Sequence, residues 1–230
     1  MQKGKLIIIE AGDGSGKATQ TKALYEHLLA DKQPVKRVEF PDYASESSAL
    51  VRMYLGGAFG AHAEDVNAYA ATAFFAVDRY ASFRIKWQAD YEAGGIILAD
   101  RYTTSNMVHQ AVKIKDAQER QDYLAWLWDF EFCKLGLPVP DLVLFLDMEP
   151  AVADRLIAER ARRQGTTADI HERDADYLHQ CHAAYTELAV RYGWQRVACS
   201  RCGVPRRVED IHADVYHIVQ QVLAEQTERF

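Results

Sequence analysis

The chain has 230 residues, 49% of them hydrophobic, and a formal net charge of −6, which suits one larger α/β domain and excludes a broad basic surface for nucleic acid. No apolar run approaches the roughly 20 residues that span a bilayer, so we expect no membrane partner. The four cysteines are too few for a disulfide framework, and the first strand leaves no room for a signal peptide, so we expect a cytoplasmic protein.

Apolar runs alternate with helical patterns along the chain. In chain order the patterns predict strand Leu6–Glu10, helix Thr21–Ala30, strand Val35–Phe40, helices Ser47–Leu55 and Asn67–Tyr91, strand Gly95–Asp100, helix Asp116–Phe132, strand Leu142–Asp147, helices Pro150–Arg163 and Glu172–Tyr192, strand Gln195–Cys199 and helix Asp210–Gln226. This alternation is typical of an α/β fold with a five-stranded parallel sheet and helices on both faces. No repeat or linker appears, so we expect residues 1–230 to form a single domain.

A glycine-rich loop follows the first predicted strand and precedes the first predicted helix. Its glycines allow positive φ, the N–H groups at the helix N-terminus face an anion, and Lys17 adds a positive charge near the β- and γ-phosphates of a nucleotide. The strict pattern has Gly at position 11 and Ser or Thr at position 18, and both are Ala here. The loop predicts a nucleotide-phosphate site formed by Gly12, Asp13, Gly14, Ser15, Gly16, Lys17, Ala18 and Thr19.

Polar clusters follow other strands of the predicted sheet, where ligands of such folds bind. Asp100 ends an apolar run and is typical of a carboxylate that holds Mg²⁺, and Arg101 beside it suits bidentate phosphate binding. The alternative is an ordinary Asp–Arg pair at a strand end. Phe75 and Arg79 share one helix face, which suits stacking on a flat base and reading it, although helix aromatics are normally core residues.

A polar, glycine-containing loop follows the predicted helix that ends at Arg163. Arginines in a last helical turn commonly only compensate the helix dipole, but arginines that lead into a flexible loop also suit a lid over a transferring phosphate. We therefore expect a lid at about residues 160–173, with Arg160, Arg162, Arg163 and Arg173 as its basic residues. The C-x-x-C pair Cys199 and Cys202 lacks a second ligand pair nearby, and we interpret it as two loop thiols.

These motifs, in this order, resemble the thymidylate kinase family of P-loop nucleoside monophosphate kinases over nearly the whole chain. The matching residues are Glu10 with Asp13-Gly14-Ser15-Gly16-Lys17, Phe40-Pro41-Asp42, Phe75 with Arg79, Asp100-Arg101-Tyr102 with Ser105-Asn106, Gly136-Leu137-Pro138-Val139-Pro140-Asp141-Leu142-Val143-Leu144-Phe145-Leu146-Asp147, His171-Glu172-Arg173, and Tyr185 with Leu188-Ala189. The resemblance implies transfer of the ATP γ-phosphate to dTMP, with Mg²⁺ as cofactor and a homodimer as the assembly.

The resemblance also implies roles for individual residues. Asp13 would contact the deoxyribose 3′-hydroxyl, Phe75 would stack on thymine, Arg79 would read its exocyclic oxygen, and Arg101 would hold the acceptor phosphate. Because position 14 is Gly, the lid would supply the catalytic arginine. The remaining expected substrate contacts are Phe40, Tyr43, Ser105, Asn106 and His109, and the expected metal ligands are Asp13 and Asp100.

The chain departs from the family pattern at three positions. Ala18 replaces the hydroxyl residue that usually ligates Mg²⁺, so the metal would rely on Asp13, Asp100, Thr19 or water. Tyr43 stands where the family often has an arginine for the acceptor phosphate, and His109 replaces an aromatic that crowds a ribose 2′-hydroxyl.

Two alternative functions remain open at this point. The first is a kinase for another pyrimidine nucleotide or a deoxynucleoside. The second is a nucleotide-binding regulator without catalysis, which Ala18 suggests; the absence of an N-K-x-D guanine motif and the arginine-rich lid argue against it.

Overall fold

The computed structural model describes residues 3–164, 170–171 and 174–224, and describes residues 160, 161, 163 and 164 by their backbone alone. Its elements in chain order are β1 Lys5–Ala11, α1 Lys17–Ala30, β2 Val35–Glu39, α2 Ala49–Leu55, α3 Ala68–Ser82, α4 Gln88–Glu92, β3 Ile96–Asp100, α5 Thr103–His109, α6 Ala117–Trp128, β4 Leu142–Asp147, α7 Pro150–Gln164, α8 Ala175–Tyr192, β5 Gln195–Ala198, β6 Ser200–Arg201, β7 Val204–Pro205 and α9 Val208–Ala224. Short 3-10 turns and two π-helical segments lie between them.

Five parallel strands form the main sheet, as the sequence predicts, and their order is β2-β3-β1-β4-β5. In the register of β1 with its neighbours, Ile9 lies opposite Asp100 and Ala11 lies opposite Leu146. The carboxyl ends of β1, β3 and β4 therefore meet at one edge of the sheet. The loops that follow these strands bring distant polar residues together there.

Apolar side chains fill both faces of the sheet. Leu6 and Ile8 of β1 pack on one side with residues of α5, α6 and α8, whereas Ile7 and Ile9 pack on the other side with residues of α1 and α9. Successive strand residues point to opposite faces, so a strand covered on both sides is apolar throughout. This explains why β1 is a continuous apolar run in the sequence.

The structure corrects several predicted element bounds. Helix α1 begins at Lys17 rather than Thr21, so the glycine-rich loop meets the helix N-terminus directly. The predicted helices 67–91 and 116–132 change to π-helical segments at Phe83–Trp87 and Asp129–Lys134. The sequence analysis missed the β6–β7 hairpin, in which exposed Cys202 is a free thiol, as is buried Cys199.

Helix α5 was also missed, and its composition gives the reason. It opens with Thr103, Thr104 and Ser105, residues that favour caps and turns over helix interiors. Buried carboxylates accept hydrogen bonds from all three hydroxyls, which compensates for the weak helix propensity. Within the described ranges, no helix is both long and apolar enough to cross a membrane. The single-domain assignment with a lid at about 160–173 stays a prediction.

Candidate active site

A cavity of about 630 Å³ opens at the carboxyl edge of the sheet. It is lined by every residue that the sequence predicts to bind nucleotide, substrate or metal: Gly12, Asp13, Gly14, Ser15, Gly16, Lys17, Ala18, Thr19, Phe40, Tyr43, Phe75, Arg79, Asp100, Arg101, Ser105, Asn106 and His109. The structure adds lining residues to which the sequence analysis gave no role in the site, among them Glu39, Tyr102, Gln110 and His171.

The predicted lid arginines are not among the described lining residues. The side chains of Arg160 and Arg163, and the whole of Arg173, lie outside the described residues. Arg162 is described: its exposed guanidinium donates from Nε to the Ala158 carbonyl at 3.3 Å. The catalytic-arginine role therefore stays a prediction for all four.

The phosphate loop takes its shape from two glycines with positive φ, Gly14 at 77° and Gly16 at 78°. Gly16 caps α1, and its carbonyl accepts from the Gln20 N–H at 3.0 Å. A Cβ atom on Gly14 would stand 2.8 Å from the Ala153 carbonyl oxygen in α7. A side chain at position 14 is therefore disfavoured for two reasons, the backbone conformation and the close passage of α7.

Lys17, the first residue of α1, forms an ion pair with the Asp100 carboxylate at the end of β3. Burial and the charge of Arg101 lower the pKa of Lys17 to about 7, and the carboxylates of Glu10 and Asp13 oppose that shift. The contact with Asp100 favours the charged form of the amine. An anion held by the loop would favour it in the same way.

Arg101 stands at φ 67°, a left-handed conformation that a residue with a side chain rarely adopts. Its Nη2 donates to Asp13 Oδ1 at 3.0 Å, and its Nη1 donates to the Tyr185 hydroxyl at 3.2 Å. Nη1 also lies 4.0 Å from the Glu10 carboxylate. Backbone strain of this kind persists where the surroundings hold a residue firmly, and it occurs often at functional sites.

The Glu10 carboxylate lies next to Arg101 and is fully buried. Its carboxylate accepts from the Tyr102 N–H at 3.2 Å, the Thr104 hydroxyl at 2.5 Å, the Ser105 hydroxyl at 2.8 Å and the Tyr185 hydroxyl at 2.9 Å. These donors satisfy a charge that would otherwise be costly to bury. Sequence reasoning used Glu10 only as a family marker; a lone Glu inside an apolar strand was the signal for its role.

Phe75, Arg79, Asn106 and Gln110 line one part of the cavity together. Phe75 is partly buried and meets the Tyr54 ring edge-on at 6.1 Å. Three buried amide atoms of Asn106 and Gln110 have no hydrogen-bond partner among the described residues: Nδ2 of Asn106, and Nε2 and Oε1 of Gln110. Unpaired buried amides are costly, so this part of the cavity suits a flat ligand with both donors and acceptors.

The sequence analysis expects Arg79 to read the base with its guanidinium fork, but the structure does not present this fork to the cavity. Its Nε donates to Glu131 Oε2 at 2.7 Å, and its Nη2 pairs with Oε1 of the same carboxylate. Arg79 is 1% exposed and Glu131 is fully buried. The two residues are far apart in the sequence, and no local pattern indicates their pairing.

His109 contacts Arg101, and its ring is stacked on that of His171. Its Nε2 lies 3.4 Å from Nη1 of Arg101, and the two imidazole planes differ by only 5° at a centroid distance of 5.7 Å. The Tyr54 hydroxyl lies 2.9 Å from Nε2 of His171. Burial, with the charge of Lys113, lowers the pKa of His171 to about 4, and burial also lowers that of His109. Both rings are therefore neutral at pH 7.

Tyr43 lies on the loop after β2, which Asp78 of α3 holds in place. The Asp78 carboxylate accepts from the Asp42 N–H at 2.8 Å and from the Ser47 hydroxyl at 2.6 Å. The Arg52 guanidinium donates to the Tyr43 carbonyl at 3.0 Å. Tyr43 itself is half exposed at the cavity, where a substrate phosphate would meet a phenol rather than a cation.

The predicted metal ligands each contact a cation of the protein. Asp100 pairs with Lys17, and Asp13 pairs with Arg101. Within the described ranges, no three His, Cys, Asp or Glu side chains are grouped to hold a metal without other ligands. Mg²⁺ is commonly bound by one or two carboxylates together with water and substrate phosphates. Two carboxylates beside a phosphate loop fit that donor set.

The parallel sheet, the glycine loop at the N-terminus of α1 and the cavity that this loop lines define the class: this is a P-loop protein with the architecture of a nucleotide kinase. The predicted fold class is thereby confirmed.

Comparison with known proteins identifies the family within that class. The thymidylate kinase family model matches residues 9–202. The thymidylate kinase of Mycobacterium tuberculosis is 32% identical over 191 residues, which cover 82% of this chain and 87% of the relative. The human thymidylate kinase is 26% identical over 231 residues, which cover 99% of this chain and 95% of the relative. The chain therefore belongs to the thymidylate kinase family.

A solved thymidylate kinase structure from Candida albicans has the same fold. It superposes with a TM-score of 0.68 at 21% identity, and the match covers 95% of this chain and 92% of the other. The Candida albicans protein has broad substrate specificity.

Proposed function

We propose that this protein transfers the γ-phosphate of ATP to dTMP and releases dTDP and ADP. The observation that carries the proposal is that one cavity contains the phosphate loop, Arg101 and a polar, aromatic-lined pocket. Membership of the thymidylate kinase family supports the same reaction. Catalysis of phosphoryl transfer depends on positioning and on charge stabilisation, and the cavity provides groups for both.

The donor nucleotide binds at the phosphate loop in this proposal. The N–H groups of Gly12–Thr19 at the start of α1 face its phosphates, and Lys17 neutralises charge on the β- and γ-oxygens. The lid arginines, Arg160, Arg162, Arg163 and Arg173, are our candidates for the charge that stabilises the transferring group, because Gly14 has no side chain to supply it.

The acceptor phosphate binds at Arg101, whose position is held by Asp13, Tyr185 and Glu10. A guanidinium fixed on several sides keeps its geometry while the phosphate arrives, which favours in-line attack. We assign Asp13 to the sugar 3′-hydroxyl as well, and Phe40, Tyr43 and His109 to the walls around the sugar and phosphate.

Asp13 and Asp100 are the residues that would hold Mg²⁺. When bound, the cation neutralises charge on the nucleotide phosphates. Ala18 supplies no hydroxyl ligand, so these carboxylates and the phosphates themselves are the donors that the chain offers.

The base binds against Phe75, beside the unpaired amides of Asn106 and Gln110. Thymine carries two carbonyl acceptors and one N–H donor on its edge, which matches a set containing both donors and an acceptor. Cytosine replaces one carbonyl with an amino group, which would face a donor. One buried mismatched donor costs about 1–3 kcal/mol, enough for roughly tenfold discrimination.

A coupled assay with ATP, Mg²⁺ and a panel of nucleoside monophosphates tests the proposal. We expect dTMP to be preferred over dCMP by tenfold or more in kcat/KM, and Arg79→Ala to reduce that preference with little change in the KM for ATP. Equal use of dCMP and dTMP would show a kinase that accepts pyrimidine nucleotides more broadly. Tyr43 and His109, which depart from the family pattern, would then be the first positions to mutate. Nucleotide binding without turnover of any acceptor would show a regulator instead.

We also propose a homodimer. Exposed apolar side chains cluster on neighbouring helices, with Leu50 and Met53 on α2, Val77 and Tyr80 on α3, and Ile85 just beyond it at 80% exposure. Exposed apolar patches of this kind often mark the surface where another protein chain binds and removes them from water. Sedimentation should give a dimer mass, and Val77→Glu should give a monomer. A wild-type monomer at micromolar concentration would contradict the proposal.

We place the protein in the cytoplasm. Cys133, Cys181, Cys199 and Cys202 are all free thiols. Unpaired cysteines are typical of a reducing compartment. Fractionation of cells that express the protein tests this assignment.

A further inference from the structure

The geometry points to Glu131 as a positioning residue that fixes Arg79 and thereby sets which base the acceptor pocket takes. The inference rests on the proposed function, because it concerns the base pocket of that same site. Glu131 does not line the cavity, so it acts through Arg79 rather than by touching the substrate.

The carboxylate of Glu131 connects three elements. It accepts two hydrogen bonds from Arg79 of α3 and a third from the Thr103 hydroxyl of α5 at 2.5 Å. Glu131 itself lies in the π-helical segment that continues α6. Because α5 also carries Ser105, Asn106 and His109 into the cavity, this carboxylate holds two walls of the base pocket in one arrangement.

The pairing determines which part of Arg79 remains for a ligand. Nε and Nη2 are taken by Glu131, and Nη1 makes no hydrogen bond to any described residue. Arg79 still lines the cavity. A base therefore meets one N–H edge of fixed direction rather than a mobile fork. Such an edge donates a hydrogen bond to a carbonyl oxygen and disfavours an amino group at the same place.

Charge and burial explain why this arrangement is rigid. Glu131 is 0% exposed, and its only described donors are Arg79 and Thr103. A buried guanidinium that loses its carboxylate is left with an unpaired charge, so the two side chains hold each other's positions. The bidentate geometry also fixes the plane of the guanidinium, which a single contact would not.

The first test replaces Glu131 with Gln, which keeps the shape of the side chain but removes its charge and one acceptor. With purified full-length protein we expect the KM for dTMP to rise about tenfold, kcat to stay within about threefold, and the KM for ATP to stay unchanged. The preference for dTMP over dCMP should shrink by a similar factor. Calorimetric titration with dTMP alone should show the same loss of affinity.

A double-mutant cycle of Glu131→Gln with Arg79→Ala separates a positioning role of Glu131 from a general loss of stability. If Glu131 acts through Arg79, the double variant should discriminate between the bases no less than Arg79→Ala alone. Asp147→Asn is the matched control, because Asp147 is also a buried carboxylate that accepts from an arginine, Arg196, at 2.6 Å, yet it does not line the cavity. This control should lose stability without changing base preference.

If Glu131→Gln does not fold, the pair is replaced as a whole by Arg79→Met with Glu131→Leu, since a well-packed apolar pair often restores stability. That variant should use dTMP and dCMP with similar kcat/KM.

Two results would overturn the inference: wild-type base preference in Glu131→Gln while Arg79→Ala loses it, or retained preference in the apolar double variant. Failure of the wild-type protein to prefer dTMP would instead overturn the proposed function, and the two failures are therefore distinguishable.

Discussion

Substitution of Gly14 by Ala is the sharpest test of how α7 lies over the phosphate loop. An Ala at φ 77° pays the penalty of the left-handed region, about 1–2 kcal/mol. Its Cβ would also stand 2.8 Å from the Ala153 carbonyl oxygen and 3.0 Å from Cγ1 of Ile157. The first atom belongs to a helix backbone and cannot turn aside, so overpacking adds about 1–3 kcal/mol. We therefore expect a loss of about 2–5 kcal/mol, or about 4–20 °C in Tm for a chain of this length.

The loop supplies its own matched controls. Gly16 has nearly the same φ, 78°, but a Cβ there meets nothing within 4 Å, so Gly16→Ala should lose only the conformational part, about 1–2 kcal/mol. Gly12 has neither a positive φ nor a close neighbour, so Gly12→Ala should change stability by less than about 1 kcal/mol. Thermal unfolding of the three variants gives the ranking. If Gly14→Ala is as stable as Gly16→Ala, the close passage of α7 over the loop is wrong.

Three further outcomes follow from the site. Lys17→Ala should abolish phosphoryl transfer in a protein that still unfolds cooperatively, and wild-type turnover of this variant would refute the phosphate-loop assignment. The predicted lid arginines are Arg160, Arg162, Arg163 and Arg173. Neutralising them one at a time should lower kcat at least about 100-fold for one of them, and a near-normal kcat in all four variants would refute the lid model. The third outcome concerns the stability of the fold in acid. Folding lowers the pKa of His171 from 6.5 to about 4, so between these pH values the folded state binds fewer protons at His171 than the unfolded state. The free energy of unfolding should therefore fall as the pH falls through this range. For His171 alone the loss between pH 7 and 4.5 is about 2 kcal/mol, which urea titrations should detect and His171→Gln should reduce.

Local patterns in the sequence predict the sheet and the phosphate loop. A strand covered on both faces is a continuous apolar run, and β1 and β4 are such runs. Glycines before a lysine at a strand-to-helix junction specify the loop by themselves, since the backbone conformation they permit is a local property. These predictions needed no knowledge of distant contacts, and the structure places each loop residue at the cavity.

The features that the sequence did not indicate depend on pairing across the fold. Arg79 was expected to offer its fork to a base, because nothing near it in the chain shows that Glu131 takes two of its nitrogens. Helix α5 has weak helical character and forms over buried carboxylates that lie on other elements. The stacking of His109 on His171 likewise joins two segments whose separation in the sequence carries no signal.

The two ion pairs in the cavity make ligand binding an exchange of partners. Before any nucleotide arrives, Lys17 is neutralised by Asp100 and Arg101 by Asp13. A phosphate group that takes Lys17 leaves Asp100 as a carboxylate at 6% exposure with no countercharge. A bare phosphate would bear that cost, whereas a phosphate that arrives with the proposed Mg²⁺ would not, because the cation could pair with the released carboxylate. If Mg²⁺ binds as proposed, the pairing of Lys17 with Asp100 would therefore favour the metal-bound form of the nucleotide, in a chain with Ala at position 18.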